Sequence, residues 1–184
     1  MTCIVGLSHG GKVYIGGDSC GSNGHTFGIY GQRKVFKVDA GQDQFLIGCT
    51  SSFRMIDLLT HQLDGNVSRS HPDDSDDKFI RTTFIAGIRS LFKEGGFSNI
   101  SDNEETGGNF LLGYNGNLYE VQDDFSVLNP APWGMAIGSG EEAARGALWI
   151  NRKQKDPKKR VIEALEAAEA NIAPVRGPMY CEVL

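Results

Sequence analysis

The 184 residues carry 18 lysines and arginines against 23 aspartates and glutamates, for a net charge of −5. That mild acidity argues against a dedicated nucleic-acid binder or a protein of anionic membrane surfaces. Forty per cent hydrophobic and 22% charged residues is ordinary soluble composition, no apolar run approaches the about 20 residues of a membrane span, and no secretory leader is visible. The expectation is a cytoplasmic protein, folded as one domain over residues 1–184.

The chain opens Met1-Thr2-Cys3-Ile4-Val5-Gly6-Leu7. A small second residue normally allows removal of the methionine, which would leave a threonine bearing a hydroxyl and a free α-amine. Such an amine titrates at about 7.7–8.0, close enough to neutrality to take the hydroxyl proton, so one residue can be nucleophile and base. Residues 3–8 and 12–17 are short β-branched runs separated by Ser8-His9-Gly10-Gly11, the chemistry of a tight hairpin. The second run ends Gly16-Gly17-Asp18, where two glycines leave room beside a strand-end acid.

A glycine-rich loop over 21–28 leads to strands over 26–30 and 34–38, with Lys34 at the head of the latter. A fifth strand, 45–49, runs through Gly48-Cys49-Thr50-Ser51-Ser52 into a helix over about 52–64, capped by serine and closed by Gly65. The spacing of Ile80, Phe84, Ile88 and Leu91 predicts a second helix over 75–93. Residues 98–106 read as an acidic loop. Strands over 109–114 and 117–122 are joined by Asn115-Gly116, a strong hairpin signal. A short strand over 135–138 precedes Gly138-Ser139-Gly140 and a helix over 141–151. The last helix has Asp156 as cap and Pro157 at its first position, and 179–183 closes the chain as a strand.

Rival chemistries are weak. Cys3, Cys20, Cys49 and Cys181 lack the paired spacing of a zinc site or disulfide framework and read as reduced, buried thiols. His9, His25, His61 and His71 share no ligand spacing and suit surface or turn positions, so no metal and no cofactor is expected. Glu141 and Glu142 in a first helical turn would repel a phosphate at Gly138-Ser139-Gly140. The Asp73-Asp74-Ser75-Asp76-Asp77 cluster lacks calcium-loop spacing and reads as a solvated helix cap. The basic run 152–160 reads as a solvated helix entrance that would also suit an acidic partner surface.

Thr2, the acid after Gly16-Gly17, Lys34-Val35 at the head of a strand, the turn through Ser51, and Gly138-Ser139-Gly140 occur in an order that resembles the proteasome β-subunit and HslV branch of the N-terminal nucleophile (Ntn) hydrolases. The resemblance spans nearly the whole chain. It implies an α+β fold, a four-layer αββα sandwich of two antiparallel sheets flanked by helix pairs. It further implies a threonine protease subunit of a self-compartmentalising homo-oligomeric ring, acting on polypeptides, with an AAA+ unfoldase as partner and with no nucleic acid or membrane involved. Carried over at matching positions, Thr2 is the nucleophile and Lys34 the adjacent cation. Asp18 holds that cation, and Ser139 supports the Thr2 amine. The backbone of Ser51 and Ser52 supplies the oxyanion hole, and Gly21, Gln32, Cys49 and Phe53 border the substrate pocket. Two positions depart from the pattern: Ser51-Ser52 replaces paired glycines, and Ala173 stands where the family often has an acid. Two alternatives stay open, a catalytically silent subunit kept for assembly and a small-molecule Ntn amidase.

Overall fold

The computed structural model describes residues 2–23, 25–69 and 73–184. The expectations for Met1 and His71 fall outside these residues. The elements are β1 (Cys3–His9), β2 (Lys12–Gly17), β3 (Cys20–Ser22), β4 (Phe27–Ile29), β5 (Val35–Ala40), β6 (Asp43–Cys49), α1 (Phe53–Gln62), α2 (Asp76–Phe79), a π-helical stretch (Ile80–Phe84), α3 (Ile85–Glu94), β7 (Asn99–Ser101), β8 (Glu104–Thr106), β9 (Phe110–Tyr114), β10 (Asn117–Val121), β11 (Val127–Leu128), β12 (Met135–Gly138), α4 (Glu141–Ile150), α5 (Pro157–Asn171) and β13 (Tyr180–Val183). With α2, the π stretch and α3 running on as one helical segment, four helical segments accompany antiparallel sheets among the described residues.

One sheet has the order β12-β1-β2-β13 and the other β11-β10-β9-β6-β5; two-stranded ribbons β3-β4 and β7-β8 stand apart. The β1–β2 hairpin turns through Gly10 and Gly11, both at positive φ, and pairs His9 with Lys12 and Ile4 with Gly17. Side chains alternate across β1. Ile4 joins a cluster with Val13, Ile15, Val35, Leu46, Leu111 and Ile137, drawn from strands of both sheets. Cys3, Val5 and Leu7 point the other way, into a cluster with Ala144 and Leu148 of α4 and Val161 and Leu165 of α5. A third cluster sets Phe45, Ile47 and Leu112 against Met55 and Leu59 of α1 and Phe84 and Ile88 of the second helical segment. Each such side chain, fully withdrawn from water, contributes about 1.5–3 kcal/mol before chain entropy is counted.

The sequence reading of several segments is corrected. The glycine-rich loop 21–28 contains strand pairing, Gly21 against Gly28, and Asn23 Oδ1 accepts from the His25 and Thr26 N–H groups at 3.0 and 2.8 Å to turn the ribbon. The acidic loop 98–106 is the β7–β8 hairpin, with Asp102 and Asn103 both at positive φ, as a two-residue hairpin turn requires. The second helix is interrupted where the Thr82 hydroxyl donates to the Lys78 carbonyl at 2.7 Å, and Ile85 N–H reaches back to Ile80. The space beside Gly16-Gly17 is already filled. A Cβ on Gly16 would lie 2.5 Å from Val161 of α5, and one on Gly17 would lie 2.9 Å from Ile4 and 3.2 Å from Val35. In the basic run 152–160, Arg160 is 4% exposed and donates to the Trp133 carbonyl at 2.8 Å, so it is no part of a solvated face. No helix among the described residues is long and apolar enough to cross a membrane.

Candidate active site

A small cleft opens between the start of β1, the β3 strand, the head of β5 and the turn from β6 into α1. Thr2, Lys34, Cys49 and Ser51 line it together with Gly21 and Phe53. Each arrives by a local rule. Thr2 immediately precedes β1, whose apolar run anchors it, and it is 8% exposed. Asp18 follows β2 directly, and Lys34 immediately precedes β5.

Asp18 is fully buried and Lys34 is 3% exposed. Both carboxylate oxygens are engaged: Oδ1 accepts from Lys34 Nζ at 2.8 Å and from Cys3 N–H at 3.0 Å, and Oδ2 accepts from Cys20 N–H at 3.1 Å. Lys34 Nζ also donates to the Cys20 carbonyl at 2.5 Å. An ammonium has three protons; two are engaged in this way, and the side chain borders the cleft that Thr2 shares. A buried cation needs such partners to stay charged, and removing one member of a buried pair costs about 3–5 kcal/mol.

The Thr2 nitrogen lies 3.1 Å from Ser139 Oγ, and that hydroxyl donates to the Thr2 carbonyl at 3.2 Å. Ser139 is brought there by Gly138, which pairs with Cys3 and has φ +93°; a Cβ on it would lie 2.4 Å from the Thr2 carbonyl oxygen. Only glycine permits both the conformation and the approach.

The turn after β6 places Ser51 at φ +62°, a conformation costing an L residue about 1–2 kcal/mol. Ser52 N–H donates to the Thr50 carbonyl at 2.8 Å, and the Ser52 hydroxyl accepts from Arg54 N–H at 3.1 Å as the cap of α1. The Ser51 N–H has no acceptor among the described residues and borders the cleft. Of the two serines, Ser51 is therefore the one with a backbone donor left to offer. Observed strain at a cleft is a recognised mark of function.

Of the pocket residues read from the sequence, Gly21, Cys49 and Phe53 line the cleft. Gln32 does not: its amide donates to Asp57 of α1 at 2.8 Å, outside the cleft. A Cβ on Gly21 would strike Tyr30 at 2.5 Å and Phe53 at 3.1 Å, whose rings stand 5.6 Å apart. Ala173 is exposed, and among the described residues Ser139 is the hydrogen-bond partner of the Thr2 nitrogen. Cys3, the neighbouring nucleophile type, faces α4 and α5; burial and the Asp18 carboxylate push its thiol up to about 12, so it stays protonated and away from the cleft. Burial also raises the Cys20 and Cys49 thiols. Among the described residues no three His, Cys, Asp or Glu side chains gather as metal ligands.

Sequence reasoning missed Tyr180, whose hydroxyl accepts from the backbone N–H groups of Lys34 and Val35. It also missed Ser19, which donates to the Pro178 carbonyl at 2.7 Å. Both link the 18–35 region to the end of the chain, across a distance no local pattern encodes.

No protein-family model and no curated protein sequence matches the chain. Solved structures do. BPH of Thiobacillus denitrificans is 18% identical at a TM-score of 0.73, covering 100% of this chain and 97% of that one. The same protein in complex with epoxomicin gives 17% identity and 0.74, over 99% and 97%. HslV from Trypanosoma brucei gives 19% identity and 0.68, over 99% and 98%. The ancestral β-subunit Anbu from Yersinia bercovieri gives 12% and 0.66, over 100% and 81%. At these identities the likeness is one of fold, and it is to proteasome- and HslV-like structures, the resemblance the sequence carries.

Proposed function

We propose that the chain is a threonine peptidase subunit of the Ntn hydrolase type, a single αββα sandwich over residues 1–184 that hydrolyses peptide bonds with Thr2 once Met1 has been removed. The observation that carries this is the meeting of Lys34 and Thr2 in one cleft, with the Lys34 ammonium fastened by Asp18 and Cys20 and the Thr2 nitrogen beside Ser139.

The Thr2 nitrogen is then a primary amine. A buried ammonium nearby disfavours a second positive charge, so it favours the free-base amine and the forming alkoxide. The amine takes the Thr2 hydroxyl proton as Oγ1 attacks the peptide carbonyl. The oxyanion accepts from the Ser51 N–H, a preorganised donor of a kind contributing about 3 kcal/mol in a dry site. The protonated amine passes its proton to the leaving nitrogen, and an ester on Thr2 remains. Water, deprotonated by the same amine, hydrolyses that ester and regenerates the hydroxyl. Ser139 holds the amine throughout, and the β-branched threonine keeps few rotamers, which aims the hydroxyl.

By the same reading the subunits form a homo-oligomeric, self-compartmentalising ring in the cytoplasm, fed polypeptides by an AAA+ unfoldase, as the resemblance to HslV-like structures suggests. The alternative of a silent assembly subunit draws on Ala173, which offers no carboxylate to the Thr2 nitrogen. Hydrolysis of peptide substrates by wild type and Thr2→Ala decides: turnover lost in the variant supports the peptidase, and turnover retained sinks it. A parallel panel of acylated small amides separates the amidase; cleavage of those alone would replace the peptide substrate.

A further inference from the structure

Lys34 sits at a defect in its own sheet. In a regular antiparallel rung, two facing residues exchange both N–H···O bonds. Lys34 keeps half of that rung: its carbonyl accepts from Cys49 N–H at 2.8 Å, but its N–H turns away to the Tyr180 hydroxyl. The next N–H, of Val35, reaches the same oxygen at 3.2 Å. β5 is the edge strand of its sheet, so the Val35 N–H has no neighbouring strand to serve it, whereas the Lys34 N–H gives up the Cys49 side of its rung for the same phenol.

Tyr180 belongs to the other sheet. It faces Gly17 in the β13–β2 register, immediately before Asp18, and a Cβ on Gly17 would come within 3.7 Å of its hydroxyl. β13 also grips the residue before Lys34, since Arg33 lies over the Tyr180 ring at 4.9 Å and pairs with Glu182 at 2.5 Å. Three consecutive residues, 33 to 35, are thus tied to the last strand. Burial pushes the phenol up to about 12, so the hydroxyl remains neutral over the working pH range.

We infer that Tyr180 is a positioning residue for the reaction, its hydroxyl holding the Lys34 backbone off the ladder so that Nζ reaches Asp18, the Cys20 carbonyl and the cleft together. This rests on the peptidase reading for its kinetic consequence, but the placement of Lys34 can be read without turnover.

The test is Tyr180→Phe, which keeps the ring and removes the acceptor. The expected kcat is about tenfold lower with KM within about twofold, in keeping with the rate cost of a small misplacement at a reacting centre. The acid limb of the pH profile should move with it. On a Lys34→Arg background the same substitution should change kcat less than about twofold, because both act through one cation. Full multiplication of the two losses, or a wild-type kcat and profile in Tyr180→Phe, would overturn the inference. A crystal structure of the variant supplies the readout independent of activity: Nζ displaced from Asp18 supports the inference, and Nζ unmoved overturns it. Thr2→Ala in the same assay reports on the peptidase reading alone. Should Tyr180→Phe not fold, 3-fluorotyrosine at 180 weakens the acceptor in place, with a smaller loss of kcat expected and an unchanged kcat contradicting the role.

Discussion

Two polar knots sit at opposite ends of the β5–β6 hairpin. Beyond its head, Lys34 and Asp18 pair beneath the Thr2 cleft, with the Tyr180 hydroxyl serving the backbone. At the turn end, Arg69 donates to Asp76 at 3.1 Å and to the Tyr114 hydroxyl at 3.2 Å, and that hydroxyl donates to Asp43 at 2.6 Å. Both knots hold a cation, carboxylates and a tyrosine. In the second, the partners belong to different loops and strands, and what the knot achieves is to tie residue 69 to the sheet. In the first, the cation borders a cleft that also holds Thr2 and, among the described residues, a Ser51 backbone donor with no acceptor. A knot of charged side chains and a tyrosine therefore does not by itself mark chemistry; what distinguishes the Lys34 knot is that it borders a cleft shared with the Thr2 hydroxyl.

The largest effect expected to separate the knots is on turnover. Lys34→Ala should lower kcat by roughly 10³-fold, the scale seen when a member of a catalytic group is removed, whereas Tyr114→Phe should leave peptide hydrolysis within about twofold. Equal losses from both would erase the contrast. Next comes stability: Asp18→Asn leaves Lys34 buried without its carboxylate and should cost about 3–5 kcal/mol, read as a lower midpoint in urea. Alkali should act on the fold in a defined window. Cys3 and Cys181 rise from 9.0 to about 12 and Tyr180 from 10.0 to about 12, chiefly through burial. Above pH 9 the unfolded chain releases protons that the folded chain retains, so their stabilisation is fully present below pH 9 and is lost as pH rises toward 12. A urea midpoint flat between pH 9 and 11 would contradict this. Tyr114→Phe deprives Arg69 and Asp43 of a partner and should lower the urea midpoint by less than Asp18→Asn does, because water reaches both groups. The smallest effect is at Ser51→Gly, which should relieve about 1 kcal/mol of backbone strain while hydrolysis stays within a few-fold. A large loss of activity would show that the serine side chain matters, and not only its N–H.

What was legible in the sequence was local. Ser8 to Gly11 and Asn115-Gly116 carry their own turn chemistry, and Pro157 after Asp156 marks where α5 begins. Gly138-Ser139-Gly140 was legible as the passage from a strand into a helix; that Gly138 is needed where the chain passes Thr2 was not. Asp102-Asn103 carries a weaker hairpin signal than Asn115-Gly116, two residues that tolerate positive φ but no glycine, among acidic neighbours that read as a loop. Gln32, read from the sequence as a pocket residue, stands outside the lining of the Thr2 cleft, its amide donating to Asp57 of α1. Tyr180 could not be read at all: its partners lie about 145 residues away, and a tyrosine in a terminal strand otherwise looks like a residue of the core. The Gly16-Gly17 pair was visible, but the room it was read to leave beside Asp18 is taken by packing against Val161 of α5 and against Ile4 and Val35.

The measurement that bears most directly on Thr2 is the intact mass of the purified protein, before and after incubation with epoxomicin, for wild type and Thr2→Ala. A peptide epoxyketone needs both the hydroxyl and a free amine on one residue. The result expected is a wild-type chain lighter by one methionine that gains a single epoxomicin adduct, with none on Thr2→Ala. A full-length mass with no adduct, or an adduct retained in Thr2→Ala, would contradict the assignment of Thr2 as the N-terminal nucleophile.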